Sequence, residues 1–286
     1  MVRTSSSEPD PPSPAPDREP PLAGRVAVVT GVSRRIGIGA AVSRRLLDDG
    51  ATVFASGWPA HDAEMPWGED AEGGAALFPE LDRQGDRIAY EIADLEEPEG
   101  PDTLLRAALE RFGRLDIVVA NHARSSHQSL FEVDVRELDR CWAANARASV
   151  LLAQSLARLR RPGPGGRLVL FTSGQHKGPM WNEIAYAVTK GAIHQMTASL
   201  SDALADRGIT VNCINPGPVD TGYAHGAFKR AIAERFPAGR WGAPEDVARL
   251  VAWLVGDEGR WVTGQVIDND GGFRYTPPVE FDRGER

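Results

Sequence analysis

The chain has 286 residues, of which 42% are hydrophobic and 25% are charged, and its formal net charge at pH 7 is −8. This is the composition of a soluble globular protein with room for one large α/β domain. The negative charge argues against nucleic acid as the main partner, and no apolar run reaches the ~20 residues that a membrane span needs. The two cysteines, Cys141 and Cys213, stand in no metal-ligand or redox spacing. We therefore expect no metal site, no membrane partner and a reducing, cytoplasmic location.

The two ends of the chain differ in composition from the middle. Residues 1–22 are rich in Ser, Pro and acidic residues. Such a segment buries too little apolar surface to offset the entropy of ordering, so we predict a disordered tail. Residues 23–273 are predicted to form one domain, in which the irregular to helical stretch 220–240 could be a substrate lid, and residues 274–286 form a C-terminal tail.

A strand, a glycine-rich turn and a helix open the domain. Residues 26–30 are a short β-branched run, typical of a strand buried on both faces. Helical periodicity follows over residues 40–47 and ends at Asp49-Gly50. Glycines in the turn 31–39 let the backbone approach a pyrophosphate, and the helix N-terminus offers free N–H groups. This order predicts a dinucleotide-binding unit.

The end of the second predicted strand, residues 51–56, bears on the choice of cofactor. In NAD-binding versions of this unit an acidic residue there holds the ribose 2′-hydroxyl, but the chain reads Ser56-Gly57-Trp58. Two arginines, Arg34 and Arg35, stand in the glycine-rich turn. The combination favours a 2′-phosphate, hence NADP(H), with NAD(H) possible; the alternative is that both arginines are merely exposed in a loop.

Strand-like and helix-like segments alternate through the rest of the domain. Residues 57–76 read as a long loop, whose Trp58, Met65 and Trp67 could pack near the cofactor. Further strands are predicted at 87–92, 115–120, 167–172, 209–214 and 265–268, and further helices at 75–84, 101–112, 134–160, 183–207 and 245–255. The alternation predicts a single α/β domain of Rossmann type, a doubly wound parallel sheet of about seven strands with helices on both faces.

Tyr186 and Lys190 lie four residues apart, where a strand-like run has given way to a helical pattern. Four residues are close to one helical turn, so the phenol and the ammonium group share a face. A phenol titrates near pH ~10, and a cation held beside it lowers that pKa. Tyr186 would then be a usable proton donor or acceptor near neutral pH, although such pairs also occur on solvated helices.

In the order and spacing of several motifs, the chain resembles the short-chain dehydrogenase/reductase family of the Tyr-x-x-x-Lys type. Within that family it is similar to 3-oxoacyl-[acyl-carrier-protein] reductases. The resemblance covers roughly residues 24–273. Ser173 lies thirteen residues before Tyr186, as is usual in the family. The motifs that carry the resemblance are Thr30-Gly31, Gly37-Ile38-Gly39, Asp94-Leu95, Asn121, Asn145, Ser173, Tyr186, Lys190 and Asn215-Pro216-Gly217.

The resemblance implies hydride transfer between a nicotinamide and a carbonyl or secondary alcohol substrate. It implies that Tyr186 is the general acid and base, and that Lys190 holds the nicotinamide ribose and lowers the pKa of Tyr186. Ser173 would orient the substrate oxygen, and Asn145 would fix a water that relays protons to Lys190. The implied cofactor contacts are Gly31, Ser33, Arg34, Arg35, Ile36, Gly37, Ile38, Gly39, Trp58, Asp94, Leu95, Asn121, Tyr186, Lys190, Pro216, Gly217, Val219 and Thr221. Candidates for the substrate pocket are Gln175, His176, Trp181, Tyr223 and Phe228.

Each role has a plainer alternative. Ser173 could be a hydroxyl satisfied at a strand end, Asn145 a buried polar group in a helix, and Asp94 a turn former. The chain also departs from the family pattern at two places: Arg35 lies where a middle glycine is usual, in a turn that is one residue longer than common, and Asn121-His122-Ala123 replaces Asn-Ala-Gly.

Two other functions stay open, and so does the assembly. The fold also suits a non-catalytic nucleotide-sensing regulator, although such proteins typically lose the Tyr or the Lys, and it suits an enoyl reductase, in which the two residues are usually spaced further apart. The resemblance implies a homotetramer, or a homodimer, built on the helices 134–160 and 183–207. The substrate is expected to be a small carbonyl or alcohol compound whose identity the sequence does not reveal.

Overall fold

A computed structural model describes residues 19–70 and 86–276. Its centre is a sheet of seven parallel strands in the order β3-β2-β1-β4-β5-β6-β7. The strands are β1 Val26–Thr30, β2 Thr52–Gly57, β3 Ile88–Ile92, β4 Ile117–Ala120, β5 Gly166–Phe171, β6 Ile209–Asn215 and β7 Val266–Asp268. The doubly wound α/β fold is confirmed.

Helices connect the strands in the described part of the chain. They are α1 Ile38–Asp48, α2 Pro59–Glu64, α3 Gly100–Phe112, α4 Val135–Cys141, α5 Ala148–Leu159, α6 Ile184–Ala205, α7 Gly226–Ala233 and α8 Pro244–Val255. A π-helical turn, Trp142–Arg147, joins α4 to α5, and a 3-10 turn, Gly174–His176, follows β5. None of these described helices is long and apolar enough to cross a membrane.

Strand periodicity divides the core between the two faces of the sheet. Ala27 and Val29 of β1 belong to the apolar cluster that contains the buried residues of α1 and α8. Val28, between them, belongs to the cluster that contains those of α3, α5 and α6. Because successive side chains of a strand point to opposite faces, a strand covered by helices on both sides must be apolar at every position. This is why β1 is buried throughout.

Three predicted boundaries need correction. Leu22, placed in the N-terminal tail, is 1% exposed, and its backbone N–H donates to the carbonyl of Asp49 at 2.8 Å. Tyr275, placed in the C-terminal tail, packs against buried Phe273. The predicted loop 57–76 contains helix α2, which begins at a proline, a residue well suited to the first turn of a helix. The predicted helix 75–84 lies outside the described residues.

Candidate active site

The carboxyl ends of the strands meet at one edge of the sheet, where the strand order reverses between β1 and β4. In open α/β sheets, ligands bind in the crevice at this point. Two neighbouring cavities lie there, a large cavity of about 610 Å³ and a small cavity of about 210 Å³. Arg34 after β1 and Asn121 after β4 line both of them. The edge therefore offers a cleft that is long enough for an extended ligand.

The turn between β1 and α1 brings backbone close to backbone. Gly31 has a φ of +73°, and a Cβ on Gly39 would collide with the Gly31 carbonyl oxygen, so only glycine fits at both positions. The Asn121 amide donates to the carbonyl oxygens of Thr30 and Gly31, at 3.1 Å each, and so holds the turn from β4. No described side chain caps the start of α1, which leaves its first N–H groups available to an anion. The turn therefore suits a pyrophosphate.

Only part of the predicted turn contacts open into the cleft. The residues that line a cavity are Gly31, Ser33, Arg34, Gly37 and Ile38. Gly39 shapes the turn without lining it, and the Ile36 side chain is 53% exposed and lines neither cavity. A direct contact of Ile36 with the cofactor is therefore not supported.

The two arginines of the turn have different surroundings. The Arg35 Nε and Nη2 atoms each donate to the Asp70 carboxylate at 3.1 Å, and its backbone N–H donates to the same carboxylate at 3.1 Å. Arg34 instead lies over the Trp67 indole, 5.9 Å from the ring centroid, and it lines both cavities. Arg34 is therefore the better placed to meet an anionic group in the cleft, whereas Arg35 fastens the segment after α2 to the turn.

The small cavity lies beside β2. Trp58 and Leu95, two of the predicted cofactor contacts, line it. Trp58 is held by a hydrogen bond from its backbone N–H to Ser33 Oγ at 3.0 Å. Asp94 does not line the cavity; its Oδ1 accepts the backbone N–H of Glu96 at 2.8 Å. Asp94 therefore acts as a turn former, and the structure does not place it at an adenine.

Ser173, Tyr186 and Lys190 all line the large cavity. Ser173 follows β5, and the other two lie one turn apart at the start of α6. Lys190 Nζ donates to the carbonyl oxygen of Phe171 at 3.0 Å and lies 5.5 Å from the centroid of the Tyr186 ring. The end of β5 and the start of α6 thus bring a hydroxyl, a phenol and an ammonium group to one cavity.

Burial controls the ionisation of the Tyr186–Lys190 pair. Burial raises the pKa of Tyr186 to about 12, and the neighbouring Ser173 hydroxyl offsets this only in part. Burial lowers the pKa of Lys190 to about 8. The lowered pKa expected for Tyr186 is not found: its net pKa is raised, because desolvation of the phenolate outweighs the effects that lower it. Tyr186 therefore carries its proton throughout the neutral range.

Asn145 lies in the π-helical turn, fully buried behind α6. Its Oδ1 accepts the backbone N–H of Arg124 at 2.7 Å, and its Nδ2 donates to the Arg124 carbonyl at 3.1 Å and to Thr189 Oγ1 at 2.9 Å. Thr189 Oγ1 donates in turn to the Tyr186 carbonyl at 2.8 Å. Asn145 thus links the loop after β4 to the start of α6, and the water relay to Lys190 stays a prediction.

Arg124 is a residue that the sequence analysis missed. Its side chain is only 6% exposed, and its guanidinium contacts the carboxylates of Glu137 at 3.1 Å, Glu64 at 3.4 Å and Glu96 at 3.5 Å. These glutamates come from α4, from α2 and from the segment after β3. A single arginine at a strand end has no recognisable motif, because only the folded topology gathers its partners.

The segment after β6, predicted to contact the nicotinamide, lines the large cavity; the contact itself stays a prediction. Pro216, Gly217, Val219 and Thr221 all reach it. The Gly217 backbone N–H donates to Asn215 Oδ1 at 3.1 Å, which holds the segment at the end of its strand. These residues face the same space as the Tyr–Lys pair.

The predicted substrate contacts divide into two groups. Tyr223 and Phe228 line the large cavity, the latter from α7 within the proposed lid. Gln175, His176 and Trp181 do not. Gln175 and His176 bond backbone groups of their own turn, at 3.2 Å each, and Trp181 is 72% exposed. These three assignments are corrected, because side chains near a catalytic residue in sequence can still point away from its cavity.

The structure adds wall residues that the sequence analysis missed. Phe273 and Tyr275 reach the large cavity from the segment after β7, and Trp241 reaches it from the segment after α7. His127 also lines it, and a hydrogen bond with Glu183 raises the pKa of that histidine. The aromatic residues after the last strand are a visible signal, although the composition predicts a tail from residue 274 onward.

The parallel sheet, the glycine-shaped turn at its switch point and the Ser–Tyr–Lys group in the adjoining cavity define an oxidoreductase on a Rossmann-type fold. The chain belongs to the short-chain dehydrogenase/reductase family. Residues 31–274 match a family model described as enoyl-(acyl carrier protein) reductase.

Relatives that match most of the chain support this assignment. The uncharacterized oxidoreductase YjdA of Bacillus subtilis is 36% identical over 251 residues, which are 87% of this chain and 96% of YjdA. A chloroplastic NADPH-dependent aldehyde reductase-like protein of Arabidopsis thaliana is 33% identical, over 88% of this chain and 95% of its own length. Among solved structures, a short-chain dehydrogenase from Burkholderia cenocepacia in complex with NADP has a TM-score of 0.78 and 34% identity, and covers 88% of this chain and 98% of its own.

Proposed function

We propose that this oxidoreductase reduces a carbonyl compound to an alcohol, or catalyses the reverse reaction, with NADP(H) as the hydride donor or acceptor. The observation that carries the proposal is that Ser173, Tyr186 and Lys190 line one cavity and that the Tyr186 phenol, with a pKa of about 12, holds a proton to give. The glycine-shaped turn and the open N-terminus of α1 fit the pyrophosphate of a dinucleotide.

Each side chain has a distinct task in the proposed reaction. When bound, the cofactor supplies the hydride to the carbonyl carbon. Ser173 donates a hydrogen bond to the substrate oxygen, and Tyr186 Oη transfers its proton to that oxygen, which gives the neutral alcohol. Lys190, charged below its pKa of about 8, stabilises the phenolate that remains, and it would also hold the nicotinamide ribose. Asn145 fixes the start of α6.

Preference for NADP(H) rests on Arg34 and on the absence of a carboxylate in Ser56-Gly57-Trp58. The NADPH-dependent relative and the NADP complex support it. Arg34→Ala should weaken NADPH binding about 10- to 100-fold, the range expected for a charged hydrogen bond to phosphate, and leave NADH binding within about twofold. Arg35→Ala is the matched control; it should weaken both, because Arg35 holds the turn through Asp70. In a fluorescence titration, tighter binding of NADH than NADPH by the wild type would contradict the preference.

The test of the reaction is an NADPH-consumption screen over ketones, 3-oxoacyl thioesters and enoyl thioesters. We expect turnover with ketones or 3-oxoacyl thioesters, and its loss in Tyr186→Phe with NADPH binding retained. Turnover of the enoyl thioesters alone would establish the enoyl reductase named by the family model. Tight NADPH binding without turnover of any compound would favour a nucleotide-sensing regulator.

We further propose that the chain assembles as a homotetramer, or as a homodimer, through the helices α4, α5 and α6 together with the π-helical turn. Trp142, Val150 and Val188 on these helices are 49%, 41% and 55% exposed, and neighbouring exposed apolar side chains often mark an interface. Val188→Glu should dissociate the assembly in sedimentation experiments. A wild-type protein that sediments as a monomer at micromolar concentration would refute this proposal.

A further inference from the structure

The segment after β7 packs directly on the turn that carries Ser173. Gly174 follows Ser173, and a Cβ on Gly174 would overlap the Tyr275 ring, at 2.7 Å from both Cζ and Oη. A Cβ on Gly178 would lie 3.0 Å from Tyr275 Cβ. The φ of Gly174 is not positive, so an alanine backbone would be unstrained there. The obstacle to a side chain at Gly174 is the Tyr275 ring itself.

Polar contacts hold the Tyr275 ring in this place. Its Oη accepts a hydrogen bond from Asn215 Nδ2 at 3.1 Å, and Lys177 Nζ lies 5.4 Å from the ring centroid. The same ammonium group contacts the carboxylates of Asp268 at 2.8 Å and Asp270 at 2.9 Å. Lys177 therefore ties the serine turn to both β7 and the segment that follows it.

The backbone of this segment is anchored from the other side. Arg235, after α7, donates from Nε to the carbonyl of Arg274 at 2.7 Å and from Nη2 to the carbonyl of Tyr275. Its guanidinium also lies over the Phe273 ring, 4.7 Å from the centroid. The Phe273 and Tyr275 rings meet edge to face, 4.9 Å apart. Contacts on both sides therefore fix Tyr275 in the wall of the large cavity.

The Tyr275 ring lies in the same cavity as the residues of the proposed reaction. Tyr275, Phe273, Gly174 and Ser173 all line the large cavity. We propose that Tyr275 is a positioning residue: its ring fixes the turn that presents Ser173 and, with Phe273, forms an aromatic wall that limits the size of the carbonyl compound admitted. This inference rests on the proposed function, and it assigns selection by the size of the carbonyl substrate to the Tyr275 and Phe273 rings.

The proposal predicts a specific pattern among variants. Tyr275→Phe keeps the ring and should stay within about threefold of wild-type kcat/KM, because it loses one neutral hydrogen bond. Tyr275→Ala should lower kcat/KM for a compact ketone about 10-fold or more, since small misplacements of catalytic groups are costly. Its loss with a bulky ketone should be smaller, which shifts the specificity ratio, and NADPH affinity should stay within about twofold.

The decisive test is a double-mutant cycle with Gly174→Ala. If the ring lies on Gly174, that substitution displaces it and reproduces the Tyr275→Ala kinetics, and the double variant should be no worse than Tyr275→Ala alone. Gly191→Ala is the matched control, because a Cβ there would have no atom within 4 Å. Wild-type kinetics for Gly174→Ala would overturn the proposal, as would a Tyr275→Ala variant that loses stability but keeps both kcat/KM values.

The test also separates this inference from the proposed function. If the wild type reduces no compound, the proposed function fails, and the packing can still be measured by unfolding in urea. Gly174→Ala should then destabilise the protein when Tyr275 is present and not when it is alanine. Additive losses of stability would show that the ring does not pack on the serine turn.

Discussion

The buried charge of Lys190 gives a prediction whose size follows from the structure. The side chain is 2% exposed, and burial lowers its pKa from the ordinary value of 10.5 to about 8. The difference between these two pKa values corresponds to ~3–4 kcal/mol. At pH 7 the folded protein therefore bears an ionisation cost of that order, set against the hydrogen bond that Nζ donates to Phe171.

Lys190→Met removes the charge and keeps an apolar side chain of similar length. It also removes the hydrogen bond, which is worth ~1 kcal/mol, so we expect the free energy of unfolding at pH 7 to rise by ~2 kcal/mol. The wild type should gain stability as pH increases from 8 towards 10.5, because the unfolded chain then binds a proton that the folded chain releases. The difference in unfolding free energy between variant and wild type should narrow over this pH range. Ionisation of Tyr186 contributes equally to both proteins and therefore cancels in the difference.

The assay is urea unfolding of both proteins at equal concentration, at several pH values from about 7 to 10. Lys229→Met is the control, since that side chain is 42% exposed beside Asp220 and its loss should change stability by less than ~1 kcal/mol. A Lys190→Met protein that is less stable than the wild type at pH 7, with a difference that does not depend on pH, would refute the reasoning.

Three further predictions concern the surroundings of the site. Gly39→Ala should abolish NADPH binding in a fluorescence titration, because its Cβ would collide with the Gly31 carbonyl; unchanged binding would contradict the turn geometry. Burial, with a further effect of Lys190, lowers the pKa of His122 to about 3. Wild-type stability in urea should therefore fall as pH drops below about 6.5, by up to ~1.4 kcal/mol per unit, and His122→Asn should show a flatter profile. Arg124→Met takes the arginine partner from Glu137, whose side chain is 14% exposed, whereas Arg140 still contacts Glu96 and Glu64. It should cost ~1–3 kcal/mol in thermal or urea unfolding; a loss below about 0.5 kcal/mol would show that the cluster is solvated.

Local patterns in the sequence were enough to predict the sheet. Each strand was found within two residues of its predicted ends. The inner strands β1, β2, β4, β5 and β6 are buried on both faces, and such strands need an unbroken apolar run. The Ser–Tyr–Lys group could be predicted because its spacing is set within one strand–turn–helix unit. The strands and the Ser–Tyr–Lys group each depend on residues that are close together in the sequence, so local patterns are enough to predict them.

Contacts between distant segments could not be predicted in this way. The pKa of Tyr186 depends on how deeply the folded chain buries it, which no spacing of Tyr and Lys reveals. The distinction between Arg34 and Arg35 depends on Asp70, which arrives from beyond helix α2. Tyr275 reaches Ser173 only because β7 ends beside β6, so a segment that reads as a tail becomes part of the cavity.

The central claim is hydride transfer from NADPH to a carbonyl carbon with proton transfer from Tyr186. Its most direct test is to incubate the wild type with a ketone and NADPH that carries deuterium at both nicotinamide C4 positions, and to analyse the product by NMR. The account predicts one deuterium on the carbinol carbon of the alcohol, and no alcohol from Tyr186→Phe at cofactor saturation. Product without deuterium, or deuterated alcohol formed by Tyr186→Phe at the wild-type rate, would contradict it.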